Sequence, residues 1–171
     1  MAISMYKASV PIFVQFLTAL SNVLDKADSH IETKKLDPVY FLNMRMYPDM
    51  FPFVRQVRAV TDHAVSACSR LAGIEPVKFE GNESSIADLK VRIGKAIDFI
   101  KAIKPEQIDG TEDKEIVIAF PSGERKFTGQ SLLLNFSLPN FYFHTTTAYD
   151  LLRKNGVDIG KRDFMGVPPQ I

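Results

Sequence analysis

Three stretches of this chain repeat their apolar residues in steps of three and four. They are Val10, Phe13, Leu17, Leu20 and Leu24, then Phe53, Val57, Val60, Ala64, Ala67 and Leu71, then Ile86, Leu89, Ile93, Ala96, Ile97 and Ile100. That spacing lines one face of an α-helix. A fourth helical stretch runs through Asn140, the inward-looking His144 and Tyr149, and stops at Gly156. Long amphipathic helices cannot bury their apolar faces singly, and in a small chain they pack on one another at shallow angles around a shared seam. The fold class is therefore all-α, a four-helix bundle.

Prolines, glycines and caps punctuate these helices. Pro11 lacks a donor and fits a first turn capped by Ser9. The first helix ends before Asp37-Pro38, where Asp37 can cap a short turn through Leu42. The second runs from about Pro52 to Ala72, and Gly73 can take the left-handed conformation that closes it. Ser85, with Asp88 three residues on, imitates a capping box at the start of the third, which Pro105 stops. Ile116, Ile118 and Phe120 alternate with Val117 and Ala119, a turn follows at Pro121 to Glu124, and Arg125 to Phe127 can return. This predicts a small β-hairpin between the third and fourth helices. The fourth helix starts near Gly129 with Thr128 as its cap, and Pro139 should bend it just before His144. Val157 to Ile171 read as a tail whose Pro168-Pro169 ending is not expected to be regular.

Bulk properties narrow the class. At 171 residues and 46% hydrophobic, the chain suits one well-buried core and a single domain over 1–171. Lys and Arg number 21 against 20 Asp and Glu, so nothing is in surplus to neutralise a row of phosphates, and nucleic acid is not an expected partner. No apolar run reaches the roughly 20 residues needed to cross a bilayer, and the N-terminus has no basic region ahead of an apolar one. Cys68 is the single cysteine, which suits a reducing compartment. A soluble, cytoplasmic protein is expected.

The order of short motifs along the chain carries a resemblance. Ser4-Met5-Tyr6, Ala8-Ser9-Val10-Pro11, Pro48-Asp49-Met50-Phe51-Pro52, Arg70-Leu71-Ala72-Gly73, Phe127-Thr128-Gly129, Leu138-Pro139-Asn140-Phe141-Tyr142-Phe143-His144 and Gly160-Lys161-Arg162-Asp163-Phe164 together resemble the bacterial family of domain of unknown function 1993. That family is placed in the DinB/YfiT-like superfamily. The resemblance spans nearly the whole chain and implies an up-down-down-up bundle that forms a homodimer.

Superfamily members that act as metal-dependent thiol transferases hold a divalent metal with one histidine on the second helix and two, four residues apart, on the fourth. Residues at i and i+4 share a helix face, so two such imidazoles can meet one ion. The resemblance sets His144 at the later fourth-helix position and Asn140 at the earlier one. On the second helix the corresponding residue is Gln56, with His63 as the competing choice. These two are seven residues apart, roughly 10 Å along the axis, so only one is expected to face His144 closely. Carboxamides are poor donors to zinc or nickel, and a catalytic site wants three strong ligands. His144 with His63 would supply two, and no tight metal cofactor is expected.

Each candidate also has a plainer role. His144 reads equally as a neutral core imidazole bonded to Asn140 or Gln56, and His63 as a half-exposed residue beside the apolar stripe. Tyr142 and Tyr149 can offer hydroxyls to a cavity or simply pack. Cys68 reads as a small core residue, His30 as solvent-facing, and Lys161-Arg162-Asp163 as an anion site, an interface or a solvated cluster. The sequence has no phosphate-binding glycine loop, no His-Glu-x-x-His and no Gly-x-Ser-x-Gly elbow. Three functions remain. The preferred one is a homodimeric small-ligand-binding or interaction protein with a degenerate metal site, its pocket lined by His144, Asn140, Gln56, His63 and Tyr149. The others are a zinc- or nickel-dependent thiol transferase-like enzyme and a structural or stress-associated dimer without ligand.

Overall fold

The computed structural model of the chain describes residues 3–168. Its long helices are α1 (Val10–Lys34), α3 (Phe53–Ala72), α4 (Ile86–Lys101) and α7 (Leu138–Lys154). Short helices α2 (Pro38–Asn43) and α5 (Pro105–Ile108) sit in the connections, and strands β1 (Glu115–Phe120) and β2 (Gly123–Thr128) form an antiparallel hairpin ahead of α7. A turn of helix, α6 (Gly129–Ser131), and a π-helical stretch, Leu132–Ser137, lead into α7, and α8 (Lys161–Met165) follows it.

Local chemistry accounts for most of these boundaries. The Asp37 carboxylate accepts from Val39 N at 2.9 Å, the Ser85 hydroxyl from Asp88 N at 3.0 Å and the Thr128 hydroxyl from Ser131 N at 3.1 Å. Each satisfies a donor that a helix start leaves open. Gly73 closes α3 at φ +69°, where a side chain would be strained. Ser9 does not cap α1: its hydroxyl donates back to the Met5 carbonyl at 2.7 Å, within a turn that already precedes the helix. Pro105 does not end α4, which stops at Lys101; it opens α5 at a position where its missing donor is harmless.

Cross-helix contacts set the directions. Near their starts, α1 and α7 touch through Phe13 and Phe141 (ring centroids 4.9 Å), and near their ends His30 lies beside Gly156, so they run parallel. On α3, Gln56 meets His144 while the later His63 meets the earlier Phe136, which makes α3 and α7 antiparallel. Arg58, early in α3, bonds Glu83 just before α4, and Lys114, beyond α4, donates to the Arg70 and Leu71 carbonyls at the end of α3. So α3 and α4 run the same way, and the bundle is up-down-down-up.

Phe13, Leu17, Leu24, Val60, Ile93 and Phe141 are fully buried at its centre. Ile97, counted on the α4 stripe in the sequence, is only half-buried, whereas Arg92 on the same helix is buried. The tail after Gly156 carries one short helix, α8, while 166–168 have no regular structure. Phe164 of α8 packs edge-on against Phe16 and Tyr149, and Asp163 accepts from Lys26 Nζ and from its own Gly160 N, at 2.7 and 2.8 Å. Pro169 lies outside the described residues.

Candidate functional site

The site forms where the π-helical stretch feeds α7. Pro139 has no N–H and its ring crowds the carbonyl four residues back, so an unbroken α-helix cannot pass through it. The chain widens over Leu132–Ser137, with Leu138 N bonding the Leu133 carbonyl, and the regular helix resumes with Pro139 in its first turn. The distortion therefore lies ahead of Pro139. It sets Phe136 edge-on to His63, and the Asn140 side chain folds back to donate to the Phe136 carbonyl at 2.7 Å.

Four residues later, His144 projects across the seam toward α3. Its Nδ1–H donates to Gln56 Oε1 at 2.7 Å. The Gln56 amide is oriented in turn, because its Nε2 donates to the Phe51 carbonyl at 3.1 Å. With the amide oxygen so placed, Nδ1 must carry the proton, and Nε2 is left as the acceptor. The imidazole lies between two near-parallel rings, Phe51 (centroid 5.9 Å, 5°) and His63 (5.6 Å, 15°). Burial pushes the His144 pKa below 6.5, and burial together with the His144 charge lowers His63 to about 4. Both rings are neutral at pH 7.

Phe51, Ala59, His63 and His144 wall an open cavity of about 410 Å³, and Arg55, Arg58 and Asp62 complete its lining. Arg55 lies over the Phe51 ring at 3.8 Å from its centroid, a cation–π contact. Arg58 donates through Nε to Glu83 Oε2 at 2.6 Å and through Nη2 to the Glu83 carbonyl at 2.8 Å. Arg92, 4% exposed, holds the other Glu83 oxygen at 2.7 Å, Thr61 Oγ1 at 2.6 Å and the Asp62 carboxylate. Burial raises the Asp62 pKa against the pull of Arg92. For Glu83 burial pushes upward too, but hydrogen bonds from Arg92 and Arg58 win and hold it below 4.5.

The sequence candidates divide accordingly. Gln56, His63 and His144 come together, and the expectation that only one of the α3 pair could face His144 is corrected. Neither Asn140, which turns onto its own helix, nor Gln56, which holds His144, lines the cavity itself. Tyr149 also lies away from it, against Phe164 beside α1. Cys68 is fully buried, and its surroundings push the thiol pKa up. Sequence reasoning missed Phe51, Arg55, Arg58, Asp62 and Arg92. A signal existed for some of them: Arg55, Arg58 and Asp62 repeat at i, i+3 and i+7 beside the Gln56/His63 line, and Arg92 interrupts the buried α4 stripe.

A family model spans nearly all of the motif order that pointed to a family. The model for a domain of unknown function, DUF1993, covers residues 5–165. The chain belongs to the DUF1993 family. This DUF1993 chain also superposes on the crystal structure of a DinB family member protein from Shewanella denitrificans. The TM-score is 0.88 at 32% identity, over 97% of this chain and 94% of that one. The DinB-like fold follows. No curated protein matches the chain.

A metal centre of the kind the DinB/YfiT resemblance implies needs donors aimed at one point. Among the described residues, no three His, Cys, Asp or Glu side chains are so grouped. The Gln56 oxygen is taken by His144, and the Asn140 amide serves Phe136. The His63 and His144 rings lie near-parallel with centroids 5.6 Å apart, so they supply at most two imidazole donors.

Proposed function

We propose that this DUF1993 protein is a DinB-like small-ligand-binding protein, with the cavity between α3 and α7 as its binding site and a polar network in place of a metal centre. The observation that carries the reading is the Phe51–Gln56–His144 chain of hydrogen bonds. It spends the second-helix side chain on orienting His144 and leaves only Nε2 for a bound molecule. Pockets that bind small molecules combine apolar walls with a few oriented polar groups. Phe51, Ala59 and the imidazole faces supply the walls, and His144 Nε2 and the arginines supply the polar groups. No helix among the described residues is long and apolar enough to cross a membrane. The lone, buried cysteine suits a reducing compartment, and on that ground we propose the cytoplasm.

We also propose a homodimer, on the family resemblance, and sedimentation of the purified protein tests that. The binding reading is tested by metal analysis of untagged protein together with a fragment screen followed on the His144 imidazole resonances. Expected are no stoichiometric zinc or nickel and saturable shifts of His144. Zinc or nickel bound one per chain and lost in His144→Ala would sink the reading.

A further inference from the structure

The charges around the cavity narrow the ligand to a chemical class, an inference that rests on the small-ligand reading. Three guanidinium groups, Arg55, Arg58 and Arg92, stand on or directly behind one wall, together with two carboxylates, Asp62 and Glu83. With both imidazoles neutral, the group carries one surplus positive charge. Four of the five charges are committed to one another, since Glu83 bridges Arg58 and Arg92, and Arg92 also holds Asp62.

Arg55 stands outside this arrangement. Its guanidinium lies over the Phe51 ring, and no carboxylate pairs with it among the described residues. Ring stacking leaves the edge of the guanidinium plane, where its N–H donors lie, free to take a carboxylate in a two-pronged hydrogen bond. His144 flanks the same Phe51 ring and offers Nε2 as an acceptor with no protein partner among the described residues. A surplus cation and an unused acceptor thus line one cavity beside the same aromatic ring.

We propose that the cavity binds a small organic monocarboxylate carrying a hydrogen-bond donor, a hydroxy acid being the simplest case. Arg55 pairs with the carboxylate, and His144 Nε2 accepts from the hydroxyl. The bound monoanion cancels the surplus charge without disturbing the Arg58–Glu83–Arg92–Asp62 network. A dianion overshoots that balance, and an uncharged analogue leaves Arg55 unpaired.

The test titrates the full chain with lactate, 3-hydroxybutyrate and glycolate, each beside its own uncharged amide, by calorimetry and on the His144 imidazole nitrogen resonances. The acids are expected to shift Nε2 saturably and to bind about tenfold or more tightly than the amides, the usual scale for a charge-assisted pair. Arg55→Gln should abolish that preference, and Arg55→Lys should keep part of it. Arg55 is exposed, so both variants should melt as the wild type does. Acids and amides binding alike would overturn the carboxylate inference and leave the small-ligand reading standing. If neither set perturbs His144 the inference falls as well, and the fragment screen then decides the broader reading alone.

Discussion

The orientation of one imidazole depends on one buried amide. Gln56 is 1% exposed and serves two groups, the Phe51 carbonyl and His144 Nδ1–H. Truncating it to Ala strands both, and an unpaired buried polar group costs about 1–3 kcal/mol. Gln56→Ala should lose stability on that scale in denaturant titrations, and its His144 ring should show mixed tautomers in nitrogen-15 spectra where the wild type shows one. Gln56→Glu sets a carboxylate against Nδ1 instead, and the opposite charge favours the imidazolium, so the His144 pKa should rise above its wild-type value. His63 gives a pH dependence of definite sign. Its folded pKa of about 4 lies below the 6.5 of the free side chain, so between these values the unfolded chain binds more protons. The stability that His63 contributes is therefore complete above pH 6.5, falls as pH drops toward 4, and changes no further below. Glu83, held under 4.5, contributes only in the more acid range. His144, also lowered by burial, adds to the same limb, so His63→Phe should make the slope between pH 4 and 6.5 shallower without abolishing it; an unchanged slope would remove His63 as a source. His144, Gln56 and His63 were legible in the sequence, but their meeting was not. His144 arrives on the antiparallel α7 level with Ala59, one turn from each of the two, so a separation of two turns on α3 becomes one turn in either direction. Asn140 and Tyr149 were misplaced because spacing gives a helix face but not the direction in which a side chain turns.

At the scale of elements, the sequence shows a boundary clearly where a single residue determines it. Ser85, Asp37, Thr128 and Gly73 each act through their own side chain or φ, and each sits where the pattern predicts. The π-helical stretch before Pro139 and the clasp formed by α8 were not visible. The first depends on how the helix redistributes a missing donor, the second on a surface of α1 that exists only once the bundle has formed. The hairpin was recognisable from its alternation, yet the close approach of Gly129 to the Thr111 backbone across its base was not. A Cβ built on Gly129 would stand 2.0 Å from the Thr111 oxygen, so the backbone would have to move. Gly129→Ala should therefore destabilise by about 1–3 kcal/mol, as overpacking does. Gly94, inside α4, meets nothing within 4 Å, and Gly94→Ala should stabilise by about 0.5–1 kcal/mol through helix propensity. Thermal unfolding of the pair checks both signs, and a Gly129→Ala protein that melts with the wild type would show that the contact with Thr111 is slack.

Across the whole molecule, the up-down-down-up order makes α3 and α4 parallel neighbours, so the chain between them must travel the length of the bundle before α4 can begin. The Ile74 to Ser84 connection does this without regular structure, and Arg92 fixes its last part. Its guanidinium bonds Glu83 in the connection, Thr61 and Asp62 on α3, and lies over the Phe79 ring at 4.1 Å. One buried cation thus joins three segments and also backs the cavity wall, since Glu83 holds Arg58 and Asp62 lines the opening. Removing one partner of a buried ion pair is far more damaging than replacing the group by an apolar one of similar volume, because the remaining charge stays buried without compensation. Arg92→Ala leaves Glu83 and Thr61 short of partners and empties the space against Phe79, and should cost about 3–5 kcal/mol. Arg92→Met with Glu83→Gln removes both charges and refills the volume, and should recover most of that loss in stability while slackening Arg58. The bundle would then stand with its cavity wall loosened, visible as faster amide exchange in the connection and altered His144 resonances at near-wild-type melting temperature. Equal damage from the two variants would mean that the pairing holds the fold as well as the site, and that the cavity cannot be retuned without unfolding the bundle around it.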